Sequence, residues 1–158
     1  MRLDHPNIVS FREAYLSSSE CFIVTELIQG LRLSEHAQMV MDKHDHEKSA
    51  RSVIWQILLA LNHMSKFNVM HCDLKPNNIM VTRHGHVKVV DFGLAHDSRH
   101  PVANTIIGTQ SYMAPEVHMG EVCPKSDLWS LGVIACELLT GIKQPFFYNL
   151  AIDPDSQP

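Results

Sequence analysis

Apolar residues keep two rhythms along this chain. From Asp45 onward Ala50, Val53, Ile54, Ile57, Leu58, Leu61 and Met64 recur at helical spacing, the stripe of a helix that buries one face. Asp45 or a neighbour stands where an N-cap is wanted, and Asn68 follows where a left-handed residue can end the helix. A second stripe, Leu128, Leu131, Ala135, Leu138 and Leu139, predicts another helix, stopped by Gly141. Elsewhere the rhythm is that of strands. The runs Ile8 to Tyr15 and Cys21 to Ile28 flank the turn-forming "SSS" at Ser17 to Ser19 and predict an antiparallel hairpin, ended by Gln29 and Gly30. Short strands at Ile79 to Thr82 and His86 to Val90 flank a turn through His84 and Gly85. The stretch from Asp91 to Pro115 is irregular, and the pattern fades beyond Pro145 toward a frayed end, "DPDSQP".

Composition narrows this picture without changing it. A chain of 158 residues with 45% hydrophobic positions suffices for one core. A formal net charge of -4 and the lack of any Lys or Arg run argue against a general binder of nucleic acid or anionic membrane. The four cysteines are scattered with no C-x-x-C pair, so reduced thiols, in cytoplasm or nucleus, are expected rather than disulfides or zinc. Two of the eleven histidines, His44 and His46 in "KHDHEK", sit two apart and would not share a helix face. A solvated loop ending in a helix cap is the better account than a metal site. The apolar runs "VIWQILLALNHM" and "LWSLGVIACELL" are short and interrupted by Gln56, Asn62 and Glu137, as in buried helices rather than membrane spans.

The unusual polar residues fall in one loop and the strand after it. "HCDLKPNN" (His71 to Asn78) followed by "DFG" (Asp91 to Gly93) offers two carboxylates, an amide and an ammonium close to one strand pair. Oxygen ligands such as Asn78 and Asp91 suit a hard ion like magnesium, which shares phosphate oxygens with a nucleotide. Asp73 could orient an attacking hydroxyl or accept its proton, and Lys75 could offset charge on a transferred group. Each motif alone would be ordinary loop chemistry; in this order, with a helix before and strands between, they point to phosphate transfer.

On these residues the chain resembles the protein kinase superfamily. "HCDLKPNN" is similar to its H-R-D-L-K-P-x-N catalytic loop, "DFG" to its magnesium-binding motif, "MAPE" (Met113 to Glu116) to the end of its activation segment, and "SDLWSLG" to the start of the following helix. Lys75 and the Thr109 of "GTQSYMAPE" follow the Ser/Thr rather than the Tyr pattern. The resemblance implies an α+β, protein-kinase-like fold, mainly the helical large lobe with a remnant of the small-lobe antiparallel sheet. Residues 1–30 would be that remnant with the hinge, and 31–158 a partial large lobe. It implies ATP and Mg as cofactors, Asp73 as catalytic base, Lys75 steadying the phosphoryl group, and Asn78 and Asp91 holding the metal. Asp127 would brace the catalytic loop. "VTELIQG" resembles the hinge, with Thr25 as gatekeeper, backbone groups of Glu26 and Ile28 facing adenine and Met80 beneath it; for Thr25 and Met80 plain core packing is the alternative. His71, Phe92 and Phe11 resemble members of the stacked spine between lobes. The implied partner is a protein carrying the Ser or Thr acceptor. The competing reading is a non-catalytic module that uses this lobe to bind a partner kinase or substrate.

Two departures qualify the resemblance. Cys72 replaces the Arg that pairs with an activation-loop phosphate, so phosphorylation of Thr105, whose nearest replacement cation is expected to be only His96, should matter little. Cys72 itself is expected to be a small buried side chain rather than a redox sensor. The chain also resembles a domain truncated at both ends. Nothing before Met1 supplies the glycine loop, the V-A-I-K lysine or its glutamate partner, and Glu116 lacks the arginine that pairs with it in the family. Expected consequences are poor catalysis by this stretch alone and an unpaired sheet edge with an uncovered apolar face.

Overall fold

A computed structural model describes residues 3–36, 45–100 and 106–143. The first strands, β1 (Phe11–Leu16) and β2 (Cys21–Thr25), form the expected antiparallel hairpin, with a bulge between Phe11 and Glu13. Its bounds are narrower than the apolar runs. Ile8 leaves the hairpin to form a parallel bridge with Val89 and is buried. Tyr15, Leu16, Phe22 and Ile23 of the hairpin are exposed, and so is Phe11 at 44%.

Gly30, expected to end a strand, begins one. β3 (Gly30–Arg32) pairs antiparallel with β5 (Ile79–Thr82), which pairs in turn with β6 (Val87–Val89). The backbones approach so closely that a Cβ on Gly30 would lie 2.4 Å from the Val81 carbonyl oxygen, a contact only glycine tolerates. The β5–β6 turn is as expected, with Gly85 left-handed at φ 79° and its N–H on the Thr82 carbonyl. A two-residue pairing, β4 (Val69–Met70) with β7 (His96–Asp97), carried no readable sequence pattern.

Helix α1 (His46–Lys66) buries Ala50, Val53, Ile57, Ala60, Leu61 and Met64. Asp45 is its N-cap residue but makes no side-chain capping bond, and His46 opens the helix itself; Asn68 is left-handed at φ 58°. Leu58 falls on the solvent side, displaced by Ala60 at the seam. After the short α2 (Pro115–His118), helix α3 (Ser126–Thr140) ends at Gly141 as anticipated. Its inward face is Leu131, Ile134 and Leu138 rather than the full predicted stripe, and Leu128 and Leu139 are exposed. The core joins α1, α3 and the β5–β6 hairpin through Ile57, Leu61, Ile79, Val87, Val89 and Ile134. No helix among the described residues is long and apolar enough to cross a membrane.

A polar clamp fixes the segment before β1 to this core. The Asn7 amide donates to the Gln56 side chain at 3.0 Å and to the Val87 carbonyl at 2.9 Å, and Gln56 Oε1 also accepts the Val87 N–H. Buried amides are tolerated because every donor here finds an acceptor. The clamp sets the register of β6, and β6 leads directly to Asp91.

Candidate functional site

The loop between β4 and β5 is shaped by one buried carboxylate. Asp127, in the first turn of α3, accepts the backbone N–H of His71 at 2.7 Å and of Cys72 at 3.0 Å. Burial pushes its carboxyl up, against the opposing pull of those two donors. Cys72 sits between them in a left-handed conformation, φ 63°, which costs a non-glycine residue about 1–2 kcal/mol and so needs such a brace. The His71 ring has a single consistent tautomer: Nε2–H donates to the Val90 carbonyl at 3.0 Å, while Nδ1 accepts the Asp73 N–H at 3.3 Å. Phe92 packs on that ring with centroids 5.1 Å apart.

So oriented, Asp73 becomes the centre of a four-residue network. Its Oδ1 accepts the Thr109 hydroxyl at 2.7 Å, and its Oδ2 takes the Lys75 ammonium at 2.8 Å and the Asn78 amide at 3.0 Å. Lys75 also donates to Thr109 Oγ1 at 2.8 Å, and Asn78 Nδ2 donates to the Asp73 carbonyl. Burial would raise the Asp73 carboxyl, but Lys75, Thr109 and Asn78 outweigh it and hold the group below the usual carboxylate range. A depressed acid stabilises the fold above its unfolded pKa of about 3.9 and loses that contribution as pH falls through its folded value. Wild type is therefore expected to lose more melting temperature between pH 7 and pH 3 than Asp73→Asn does, measured by scanning calorimetry.

Asp91 lies one residue beyond Val90, whose N–H bonds the Asn78 carbonyl at 2.9 Å, so Asn78 and Asp91 occupy the same end of the β5–β6 hairpin. Asp91 is exposed and left-handed, φ 63°. With the Asn78 nitrogen committed to Asp73, its amide oxygen and the Asp91 carboxylate are the atoms left for a hard cation. No group of three His, Cys, Asp or Glu side chains converges to hold a metal among the described residues. A two-ligand oxygen set fits magnesium, which keeps waters and shares phosphate oxygens, and does not fit zinc.

The other anticipated residues are more dispersed. Thr25 is exposed, with its hydroxyl toward the Glu26 carbonyl at 3.3 Å; Ile28 and Met80 are half-buried. Glu26 is engaged through its side chain as well: its Oε1 accepts the Ser10 N–H at 2.8 Å and pairs with Lys88 at 2.6 Å. Thr105 lies outside the described residues. Glu116, expected to lack a partner, accepts the Ser126 hydroxyl at 2.9 Å and the Cys123 thiol at 3.6 Å, because α3 begins directly beneath it. Nothing in the spacing signalled that Tyr112 would donate to the Glu137 carboxylate at 3.1 Å while Ser130 holds the Tyr112 carbonyl at 2.7 Å. Cys72 is half-buried, and burial first, then the Asp127 charge, push its thiol up to about 12, so it is not a reactive thiolate at neutral pH.

Gly108 closes the site. At φ 106° it brings its backbone against the β4–β5 loop, where an added Cβ would meet the Cys72 carbonyl oxygen at 2.4 Å. Gly108→Ala is expected to push Thr109 off Asp73 and, since a displacement of about 1 Å can cost roughly a hundredfold, to lower turnover on that scale. Steady-state kinetics with a parallel thermal melt checks this.

The family profile described as "Protein kinase domain" matches residues 1–153. Among curated proteins, the chain is 37% identical to mouse sperm motility kinase 3A over 92% of its length, 35% identical to the Bacillus subtilis serine/threonine-protein kinase PrkC over 88%, and 36% identical to human serine/threonine-protein kinase Nek10 over 92%. It spans 29%, 22% and 13% of those proteins, respectively.

Proposed function

We propose a function from one premise: this chain belongs to the protein kinase family. In the whole protein, it is a Ser/Thr kinase catalytic segment that moves the terminal phosphoryl group of ATP to a Ser or Thr hydroxyl of a protein. The observation that carries this reading is the Asp73, Lys75, Thr109 and Asn78 network, with Asp91 at the same hairpin end.

The chain's residues divide the work by charge. Asp73 is ionised across the neutral range, so it can align the acceptor hydroxyl and take its proton as the new P–O bond forms. A carboxylate with a depressed pKa takes a proton late, which suits a loose transition state in which the nucleophile is not deprotonated in advance. Lys75, beside that carboxylate, offsets negative charge on the group in transfer. Asn78 and Asp91 would hold magnesium, which neutralises phosphate oxygens. The Thr25–Ile28 linker, through backbone groups of Glu26 and Ile28, together with Met80, would receive adenine. Asp127, His71 and Phe92 hold the loop in place, and the segment from Thr109 to Glu116 would face the protein substrate. On this reading residues 1–30 are the small-lobe remnant and hinge, and 31–158 belong to the large lobe.

The experiment is phosphoamino-acid analysis of a mixed protein substrate incubated with labelled ATP, magnesium and the whole protein. Label on Ser and Thr, absent when magnesium is chelated, supports the proposal. Intact ATP binding with no transfer to any protein would instead favour the non-catalytic module.

A further inference from the structure

The end of the β5–β6 hairpin remote from Asn78 builds a second site. Strand β5 separates the two by about 10–14 Å. There the linker after β2 and the hairpin turn enclose a surface cleft of about 330 Å³, with Leu27 and Ile28 on one wall and Arg83, His84, His86 and Lys88 on the other. Among the described residues the one carboxylate lining it, Glu26, is already held by Lys88 at 2.6 Å and by the Ser10 N–H. Arg83 directs its Nε to His84 Nε2 at 3.0 Å, which leaves its terminal guanidinium nitrogens facing no carboxylate of the cleft. Leu27 is 88% exposed, an apolar knob in the same cleft as the Arg83 guanidinium.

The wall is preformed. Gln56 reaches out of the α1 core to hold the Gly85 carbonyl at 2.9 Å, and the His86 N–H donates to Thr82 Oγ1 at 3.1 Å. A site whose groups are fixed before binding loses little ordering entropy when occupied. The chain as a whole carries a net charge of -4, so an acidic segment is attracted only locally, which favours a short partner over an extended polyanion.

We propose that this cleft docks an acidic peptide segment of a protein partner, its carboxylates on Arg83 and the flanking imidazoles and an apolar residue against Leu27 and Ile28. The docking surface shares the Glu26–Ile28 linker with the proposed adenine contacts, which use its backbone, but it stands or falls on the side chains of Arg83 and Leu27, whatever Asp73 does.

The test is fluorescence anisotropy on the full chain with a labelled peptide, Glu-Asp-Leu-Glu-Asp-Leu-Glu-Asp, alongside the same peptide with Lys at every acidic position and a single-stranded oligonucleotide. The acidic peptide should bind and the lysine peptide should not. Arg83→Glu should weaken binding about tenfold or more, Arg83→Gln less, and Leu27→Asn severalfold, with added salt acting in the same direction as the charge changes. Arg83 and Leu27 are exposed, so unchanged melting curves should accompany these losses. Absence of binding, equal binding of the lysine peptide, indifference to Arg83→Glu, or tighter capture of the oligonucleotide through Arg83 would each overturn the proposal.

Discussion

Asp73→Asn is expected to lower kcat for phosphate transfer by a factor between about a hundred and ten thousand, the range general-base groups contribute, while leaving the KM for ATP nearly unchanged. The geometry explains why the loss should be chemical rather than structural. An asparagine can keep its oxygen toward Lys75 and Asn78, which both donate to Oδ2, and turn its NH₂ toward Thr109. The Thr109 oxygen already accepts from Lys75 and has a second lone pair to spare. The network survives with one donor reversed; what disappears is the group that can take a proton. Steady-state kinetics of the whole protein, with a thermal melt, separates the outcomes. Equal kcat in variant and wild type would remove Asp73 from the chemistry.

Asp127→Ala is expected to be the most destabilising single change. Its carboxylate is buried and takes the backbone N–H groups of His71 and Cys72. An unsatisfied buried donor costs about 1–3 kcal/mol, so two predict roughly 2–6 kcal/mol and a melting temperature lower by ~5–20 °C. Cys72 would also be released from its left-handed conformation, and the Asp73 backbone with it, so activity should fall further than stability alone requires. Asp127→Asn is the informative comparison, because its amide keeps one acceptor but points a donor at the other N–H; an intermediate melting temperature is expected. A melting temperature unchanged in both variants would mean the loop holds its shape by other contacts.

How much of this was legible in the sequence depended on range. Local patterns were readable: the α1 stripe, the left-handed Asn68, the β5–β6 turn and the Gly141 stop are each set by residues within a turn or two. Long-range choices were not. Gly30 reads as a terminator, yet its missing Cβ is what admits the Val81 carbonyl and makes β3 a sheet member. Leu58, Leu128 and Leu139 have the right period, but the α1–α3 seam is narrow and takes Ala60 and Ile134 beside the anticipated Leu131 and Leu138. Within the site, the spacing of Asp73, Lys75 and Asn78 announced the cluster. The hydroxyl of Thr109, 36 positions from Asp73, reaches it only because Gly108 lets the segment close on Cys72. Glu116 was misjudged for a related reason: the hydroxyl that donates to it comes from Ser126 at the start of the next helix, which no motif in its neighbourhood reveals.

The measurement that bears most directly on the central claim is calorimetric titration of ATP into the whole protein, with excess magnesium and with chelator, for wild type and Asp91→Asn. Asparagine tolerates the left-handed backbone at this exposed position, so the substitution removes charge without disturbing the turn. Magnesium is expected to tighten ATP binding about tenfold or more in wild type and to have little effect in the variant, at equal melting temperatures. The same magnesium response in both proteins would contradict a metal-bound phosphate site between Asn78 and Asp91.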